Sequence, residues 1–456
     1  MEKEKQTEIG KKLMGFYESF KLDGKPIPVN FRTLVPELNK TERYTHLIHS
    51  YPAKLLTNIP YFFLATDALC PSDGIVLDPF CGTGTVLLEA VLSGRRGWGA
   101  DSNPLAEVIT EVKTTYIPGH ELIDTLNTLL GQARQIKVTQ IYPEAIAIWF
   151  APSTLMQLAV LQAVINGLQD ERVKAFFKVC LSSVVRKVSF ADPSISVPVH
   201  WNPERFSANP SRMEEVRSKL QDLQTVDVFE KFEAVCIANI DRVNTLNGKI
   251  RNGVAASIIS KDARHLGIPD ESVDMILTSP PYAGAQKYIR ASWLSLYWLN
   301  LVKLEDIKEL KKQNIGREDY RRCEIHESYT GIEDADKVLK ELYGEGFRER
   351  AFLAANYLNE MKVALNESFR VLKTGGYMVI VIGNNTVCKR LFDTQNYLTS
   401  YLTGKGMQLQ FKLIDIIKTY GLMTKRNITA DTITREWILV FKKGCDEGQD
   451  DFERES

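Results

Sequence analysis

The sequence predicts an α/β fold in which a helical subdomain interrupts a doubly wound, mostly parallel sheet of seven strands. Between residues 73 and 116, short apolar runs alternate with helical patterns, as in a βαβα unit. From about 117 to 252 the pattern is mostly helical, and strand patterns return between 253 and 444. We therefore divide the chain into a first half of the sheet (1–116), a helical insertion (117–252), a second half of the sheet (253–444) and an acidic tail (445–456).

The composition indicates an ordinary soluble globular protein. The 456 residues include 44% hydrophobic and 25% charged residues, enough for two or three domains' worth of core. The start of the chain lacks a signal-peptide pattern and no apolar run is long enough to span a bilayer, so we expect a cytoplasmic protein without membrane contact. The seven cysteines form no CxxC pair, which argues against a zinc site or a disulfide framework. The net charge of +0 does not by itself indicate a nucleic-acid partner, and it does not exclude one, because a local basic face would be sufficient.

The first half of the sheet begins with "GIVLDPF", a short apolar strand. The Gly-rich turn "CGTGT" follows, and "VLLEAVLSG" has helical spacing and ends at Gly94, a predicted C-terminal cap. "RGWGAD" predicts a second strand, and "NPLAEVITEVKTTY" a second helix with Pro104 in its first turn. This order is the one that builds a parallel sheet.

The rest of the chain supplies long helices and then five more strands. Helical patterns include "LIDTLNTLLGQARQI", "TLMQLAVLQAVINGL" and "MEEVRSKLQDLQTVDVFEKFEAV", and a proline-rich stretch from 190 to 210 divides them. The predicted strands are "GVAASIIS", "SVDMIL", "GGYMVIVIGN", "LQFKLIDIIKTY" and "REWILVFKK".

The Gly-rich turn points to a ligand that carries a nucleoside. Gly82 and Gly84 lie between a strand and a helix, where glycine allows close approach of a ligand and the helix offers free N–H groups. The spacing matches neither the P-loop nor GxGxxG, and a plain tight turn is the alternative. Asp101 ends the next strand, about 20 residues further on, where an acid can bind ribose hydroxyls.

A second unusual stretch, "TSPPY", follows the strand "SVDMIL". Pro280 lacks an N–H and, with Pro281, restricts the backbone, so the chain cannot continue its ladder or begin a helix at once. The backbone must stay extended and stiff at the carboxyl end of a strand, which is where ligands bind in open α/β sheets.

These segments together resemble the amino-group DNA methyltransferases. "DPFCGTGTVLLEA" resembles the family's motif I, "GADSNPLA" its motif II, "KDARHL" its motif III, "TSPPY" its catalytic motif IV, and "HLIHSYPAKL" its motif X. The resemblance covers about 45–116 and 255–443 and leaves the helical insertion unexplained. It implies S-adenosylmethionine as cofactor and double-stranded DNA as partner, with a separate restriction endonuclease or defence subunit as a further possible partner. The implied cofactor-binding residues are Lys54, Asp78, Phe80, Gly82, Gly84, Asp101, Asn103, Asp262 and Ala263.

The resemblance assigns catalysis to Ser279, Pro280, Pro281 and Tyr282. The Ser279 hydroxyl and the Pro280 carbonyl would accept hydrogen bonds from the target amino group, and the Tyr282 ring would stack on a flipped base. Serine in the first position is typical of N4-cytosine methylation. Since the cofactor carries the activated methyl group, Cys81 is interpreted as a packing residue and not as a nucleophile.

Several alternatives remain open at this stage. The target can be adenine N6 or an RNA base, or the chain can be an inactive DNA-binding subunit. The 303–322 stretch is rich in Lys and Arg and predicts either a solvated helix or a phosphate contact. Around Arg186 and Arg205, basic and aromatic residues mix with prolines, which fits either a DNA-contacting loop or a linker. The sequence leaves the oligomeric state open.

Overall fold

The computed structural model describes residues 2–38, 43–51, 54–137, 141–251, 253–282, 288–416 and 435–444, with the backbone alone described at 2–7 and 37. The predicted acidic tail at 445–456 lies outside the described residues, as does 283–287 after the "SPPY" stretch. None of the helices in this part of the chain is long and apolar enough to cross a membrane.

Eight strands form one central sheet, and two short strands form a hairpin beside it. The strands are β1 (Ile27–Val29), β2 (Ile75–Asp78), β3 (Arg96–Ala100), β4 (Ala256–Ser260), β5 (Val273–Thr278), β6 (Leu372–Ile382), β7 (Asn385–Val387), β8 (Arg390–Phe392), β9 (Met407–Ile416) and β10 (Arg435–Lys443). The order across the sheet is β1-β9-β10-β6-β5-β2-β3-β4. All neighbouring pairs are parallel except those of β10, which runs antiparallel to both β6 and β9.

This sheet confirms the predicted α/β class and its mostly parallel arrangement. The seven predicted strands are all present, and the edge strand β1 adds an eighth. The strand order reverses between β2 and β5, because β3 and β4 continue on one side and β6 on the other. In doubly wound sheets, ligands bind at the carboxyl ends of the strands at such a reversal.

Some of the helices pack against the two faces of this sheet, and others pack mainly against one another. They are α1 (Glu2–Asp23), α2 (Phe31–Leu34), α3 (Asn58–Leu64), α4 (Thr85–Leu92), α5 (Pro104–Thr114), α6 (Gly119–Ala133), α7 (Glu144–Ala147), α8 (Pro152–Asn166), α9 (Glu171–Lys187), α10 (Pro210–Asp222), α11 (Val228–Thr245), α12 (Tyr288–Trp298), α13 (Ile307–Gln313), α14 (Glu333–Gly344), α15 (Arg348–Val371) and α16 (Thr394–Thr403).

The two faces of the sheet bury different cores because side chains alternate along a strand. On one face, residues such as Val76 and Leu277 pack with helices α1, α3 and α4. On the other face, residues such as Leu77 and Ile276 pack with α14, α15 and α16. The central strands are therefore covered on both sides, which holds their carboxyl ends in fixed positions.

The helical insertion packs into a third core that it shares with helices outside it. This core joins α6, α8, α9 and α11 to Ile109 on α5 and Leu294 on α12. The predicted continuous helix at 213–235 divides into α10 and α11, since the Asp227 side chain accepts hydrogen bonds from the N–H groups of Phe229 and Glu230 and begins a new helix there. That the insertion selects the target sequence stays a prediction.

Candidate functional site

A pocket opens at the carboxyl edge of the sheet, where the strand order reverses. Its volume is about 910 Å³, counting the space that is open to solvent. The segments that follow β2, β3, β4 and β5 all line it, and so do residues from the N-terminal segment and from the end of α13. Of the predicted site residues, the pocket wall includes Lys54, Asp78, Phe80, Gly82, Asp101, Asn103, Asp262, Ala263, Ser279 and Pro281.

Asp78, the last residue of β2, links the Gly-rich turn to the "SPPY" loop. Its Oδ1 accepts hydrogen bonds from the Phe80 N–H at 3.1 Å and from Thr278 Oγ1 at 2.5 Å. Thr278 ends the neighbouring strand β5 and directly precedes Ser279. Burial raises the pKa of Asp78 to about 7, although both hydrogen bonds act in the opposite direction. One buried carboxyl group therefore fixes the relative positions of the two predicted motifs.

The two glycines of the turn have different physical roles. Both have positive φ, 49° at Gly82 and 69° at Gly84, a conformation that disfavours a side chain. A Cβ at Gly82 would meet no atom within 4 Å, so that backbone borders open space in the pocket wall. A Cβ at Gly84 would lie 2.6 Å from Thr110 Cγ2, so Gly84 instead allows α4 and α5 to approach each other. Gly84 therefore shapes the site without lining it.

Asp101 follows β3 and accepts hydrogen bonds from two backbone groups of the site. Its Oδ2 accepts from the Gly82 N–H at 3.0 Å, and its Oδ1 accepts from the Asn103 N–H at 2.8 Å. Burial raises the pKa of Asp101 to about 6. Asn103 caps helix α5 with its side-chain oxygen, and its amide donates to the Tyr51 hydroxyl at 2.8 Å.

The "KDARHL" and "HLIHSYPAKL" segments also reach the pocket, but their polar atoms have partners within the chain. The Asp262 carboxylate forms an ion pair with Arg264 at 2.9 Å. Lys54 Nζ donates to the His46 carbonyl at 2.8 Å. The start of the "HLIHSYPAKL" segment is fixed to α4, because the buried His46 ring lies 2.8 Å from the Glu89 carboxylate of that helix. Burial lowers the pKa of His46 to about 4.

The "SPPY" loop is held by hydrogen bonds from two directions. Ser279 and Pro281 line the pocket, whereas Pro280 is buried and Tyr282 lies beside the pocket without lining it. The Tyr357 hydroxyl donates to the Pro281 carbonyl at 2.9 Å. The Tyr282 hydroxyl donates to Glu436 on β10 at 3.0 Å, a partner that the sequence did not indicate. The loop is therefore tied to α15 and to the antiparallel strand of the sheet.

Several pocket residues were missed by the sequence analysis. Gln313 ends α13, Asn314 and Ile315 follow it, and all three border the pocket, yet they belong to no recognisable motif. The Ser102 hydroxyl donates to Asn314 Oδ1 at 2.7 Å, and Arg264 donates to the Gln313 carbonyl at 2.9 Å. Only the fold brings this segment to the strands that lie more than 200 residues earlier in the chain.

Two other predicted features differ in how well they fit the structure. Cys81 is buried, a Cβ at the neighbouring Gly99 would lie 2.9 Å from its Sγ, and burial raises its pKa well above the ordinary value. A packed, protonated thiol agrees with a packing role. Arg186 donates to the carbonyls of Asp192 and Ile195, so it holds the proline-rich segment together and is a poor candidate for a phosphate contact.

Comparison with known proteins identifies relatives along most of the chain. The type II methyltransferase M.MvaI of Kocuria varians is 25% identical over 435 residues, which cover 88% of this chain and 92% of the relative. The chain is similar to type II methyltransferases. The type II methyltransferase M.BsoBI of Geobacillus stearothermophilus is 22% identical over 350 residues, 68% of each chain. Similarity over these lengths supports a methyltransferase, whose predicted motifs line the pocket described above.

Other comparisons add little to this result. No protein-family model matches the chain. A SAM-dependent methyltransferase from Methanosarcina mazei is 11% identical, with 83% of this chain and 96% of that chain covered and a TM-score of 0.30. A superposition at that TM-score carries no argument about function.

Proposed function

We propose that the protein is a site-specific DNA methyltransferase that transfers a methyl group from S-adenosylmethionine to the exocyclic N4 amino group of cytosine. The similarity to type II methyltransferases supports the coarser part of this proposal, a DNA methyltransferase that uses this cofactor. The observation that carries the chemistry is the placement of Ser279 and Asp101 in one pocket, at the carboxyl ends of β5 and β3, the strands on either side of β2.

The pocket residues fit the chemical groups of the cofactor. Adenosine has ribose hydroxyls that require acceptors, and Asp101 offers a carboxylate that is already oriented by two backbone N–H groups. Leu55, Phe80 and Ile315 provide apolar surface for an aromatic base. Gly82 leaves its stretch of the wall open. Asp262 lines the same pocket and is the proposed acceptor for the adenine amino group. When bound, the cofactor supplies a methyl group activated by its sulfonium centre.

The protein's task at the target base is to orient a weak nucleophile. The lone pair of an exocyclic amino group is delocalised into the ring, so acceptors that bind its N–H groups must redirect the lone pair toward the methyl group. The Ser279 hydroxyl and the Pro280 carbonyl are the proposed acceptors, and positioning of this kind can lower a barrier substantially. The ties from Thr278 to Asp78 and from Pro281 to Tyr357 hold that stretch of backbone in place.

Cytosine is proposed as the target because Ser279 occupies the first position of the loop. Adenine N6 is the second candidate, since the pocket geometry applies equally to either amino group. To reach a donor in this pocket the base must leave the duplex, and the Tyr282 ring is the proposed stacking partner. A separate restriction endonuclease is a further proposed partner, on family resemblance alone.

The decisive experiment is mass analysis of nucleosides from DNA incubated with the protein and labelled S-adenosylmethionine. We expect N4-methylcytosine and no N6-methyladenine. The adenine product alone would overturn the target assignment while leaving the enzyme class intact. Label in RNA and not in DNA would overturn the DNA assignment. A Ser279→Ala variant with the same label incorporation as the wild type would show that this loop is not the catalytic centre.

A further inference from the structure

A second cleft, of about 1600 Å³ including open space, lies beside the pocket. One wall comes from the helical insertion, through Ala145, Val197 and Pro198. The other wall is formed by α12, by α13 and by the segment that follows α13. Six basic side chains line this basic cleft: Arg290, Lys308, Lys311, Lys312, Arg317 and Arg321.

The charge of the basic cleft differs from that of the chain as a whole. The chain has 57 basic and 57 acidic residues, whereas the cleft wall has six basic residues and only two acidic ones, Asp319 and Glu324. Glu324 lies 3.4 Å from Arg317, and Lys312 pairs with Glu309 at 2.6 Å. These pairs leave a clear excess of positive charge on this wall. A concentrated excess on a neutral protein attracts a polyanion by local and not by overall charge.

The spacing of the cations suits a repeating anion. Lys308, Lys311 and Lys312 lie three and four residues apart on α13, so they share one face of that helix. Arg290 adds a charge from the neighbouring helix α12, where Trp293 forms part of the cleft floor. Phosphates of a nucleic-acid backbone recur at regular intervals and bind to surfaces of this kind by releasing counterions.

The basic cleft is continuous along the chain with the pocket. Helix α12 contributes Tyr288 to the pocket and Arg290 to the cleft, two residues apart. The segment at the end of α13 contributes Lys311 and Lys312 to the cleft, and the next residue, Gln313, borders the pocket. A backbone that lies in the cleft is therefore adjacent to the place where a flipped base would enter.

We propose that the basic cleft binds the sugar–phosphate backbone of duplex DNA next to the methylated base. The inference rests on the proposed function, because it assumes that the polyanion is the substrate of the neighbouring site. Under this proposal, the Lys308–Lys312 face and Arg290 take the place of Arg186 as the candidate phosphate contacts. Phosphate contacts set the position and the affinity of the protein on the duplex, while the sequence choice is made elsewhere.

The test is the salt dependence of DNA binding, measured by fluorescence anisotropy with a labelled duplex. The double variant Lys308→Gln/Lys311→Gln should bind several-fold more weakly at moderate salt, to all sequences alike. The slope of log affinity against log salt should fall by roughly 0.9 for each phosphate that the protein no longer neutralises. The matched control is Lys231→Gln/Lys249→Gln, which removes two exposed charges that do not line the cleft and should leave the slope unchanged. Cofactor affinity by calorimetry should equal that of the wild type in both double variants.

The outcomes separate this inference from the proposed function. A wild-type slope in Lys308→Gln/Lys311→Gln, with normal methylation of DNA by the wild-type protein, would overturn the cleft assignment and leave the function standing. An equal decrease of the salt slope in the control variant would also overturn it, because the effect would then not depend on the position of the cations in the cleft. A reduced slope with an RNA duplex and an unchanged slope with DNA would overturn DNA as the occupant. The expected reduction with DNA, restored by Lys308→Arg/Lys311→Arg, supports the proposal.

Discussion

The pocket and the basic cleft lie side by side but are encoded in the sequence in different ways. Most of the pocket consists of short motifs that directly follow β2, β3, β4 and β5. The basic residues of the cleft are instead single positions spread over α12, α13 and the segment that follows α13. A nucleoside requires particular acceptors at fixed places, whereas a phosphate backbone requires positive charge that many positions can supply. Recognisable motifs therefore mark the first kind of site and not the second.

This contrast predicts that variants of the two regions fail in different measurements. Pocket variants should change stability, the rate of methyl transfer or cofactor affinity, with the salt slope of DNA binding unchanged. Cleft variants should change the salt slope of DNA binding and leave cofactor affinity unchanged. Variants of Asp78, Ser279, Asp101 and Tyr282 test this separation, in decreasing order of expected effect.

The largest effect is expected from Asp78→Asn on the pH dependence of stability. The pKa of Asp78 is raised to about 7 from an ordinary value of 3.8, so the folded state holds a proton that the unfolded state releases between these pH values. The contribution to stability is full below the unfolded pKa and is lost as pH rises through about 7, by up to about 4 kcal/mol. Asparagine keeps the oxygen that accepts from Phe80 and Thr278 and cannot ionise.

The measurement is the free energy of unfolding by denaturant at several pH values, without cofactor. The wild type should lose stability relative to Asp78→Asn as the pH rises from 5 to 8. Some pH dependence will persist in the variant, since the pKa of Asp101 is also raised, to about 6. Parallel pH profiles for the two proteins would show that Asp78 does not carry this proton.

The next effect is that of Ser279→Ala on the rate of methyl transfer in a single turnover. Loss of one pre-organised hydrogen-bond partner costs about 2.7–4 kcal/mol in oxyanion holes, and less is expected here because no full anion forms. Cofactor affinity by calorimetry should stay close to that of the wild type, and so should the salt slope. A variant with lower cofactor affinity and a normal rate at saturation would move Ser279 from catalysis to cofactor binding.

Asp101→Ala should weaken cofactor binding by about 1.5–3 kcal/mol for each hydrogen bond to the charged group that is removed. Because Asp101 also accepts from the Gly82 and Asn103 N–H groups, Asp101→Asn provides a milder second variant that keeps one acceptor. Asp124→Ala, on the exposed face of α6, is the matched control. Unchanged affinity by calorimetry in both Asp101 variants would remove this residue from the cofactor site.

The smallest effect is expected from Tyr282→Phe. From the sequence alone, only the ring matters, and the change should be mild. The structure adds a hydrogen bond from the hydroxyl to Glu436. Loss of this bond should lower the free energy of unfolding by about 1–3 kcal/mol, because it leaves the partly buried Glu436 carboxyl group without its partner. Single-turnover methylation with Tyr282→Phe, Tyr282→Ala and Glu436→Gln separates these roles. Equal damage in the Phe and Ala variants would give the hydroxyl the main role and contradict stacking.

The sequence predicts the sheet well because buried strands and Gly-rich turns have strong local signals. The seven predicted strands are all observed, and Gly94 has the positive φ of a C-terminal cap. The edge strand β1 was missed because it has three residues, one of them Pro28, and gains its order only by pairing with β9. A strand of three residues is too short to show an alternating pattern of its own.

The site was predictable where its residues follow strands or match a motif of the family that the sequence resembles. Asp101 and Ser279 follow strands, whose carboxyl ends meet at one edge of a parallel sheet, whereas Asp78 and Lys54 were expected from the resemblance, and all four line the pocket. Asn314 and Glu436 could not be placed, because their contacts depend on tertiary packing between segments that are far apart in sequence. The carbonyl partners of Arg186 also depend on the fold, and they make it a weaker candidate for a DNA contact than a basic residue among prolines suggests from the sequence.

The short segment from Lys311 to Ile315 borders both the pocket and the basic cleft, so the proposed cofactor and the proposed DNA would contact one stretch of backbone. A ligand that shifts this backbone at one site would therefore change the free energy of binding at the other site. Because a coupling free energy is reciprocal, the factor by which cofactor tightens DNA binding equals the factor by which DNA tightens cofactor binding. On the proposed function, departure of either product should weaken the binding of the other by that same factor.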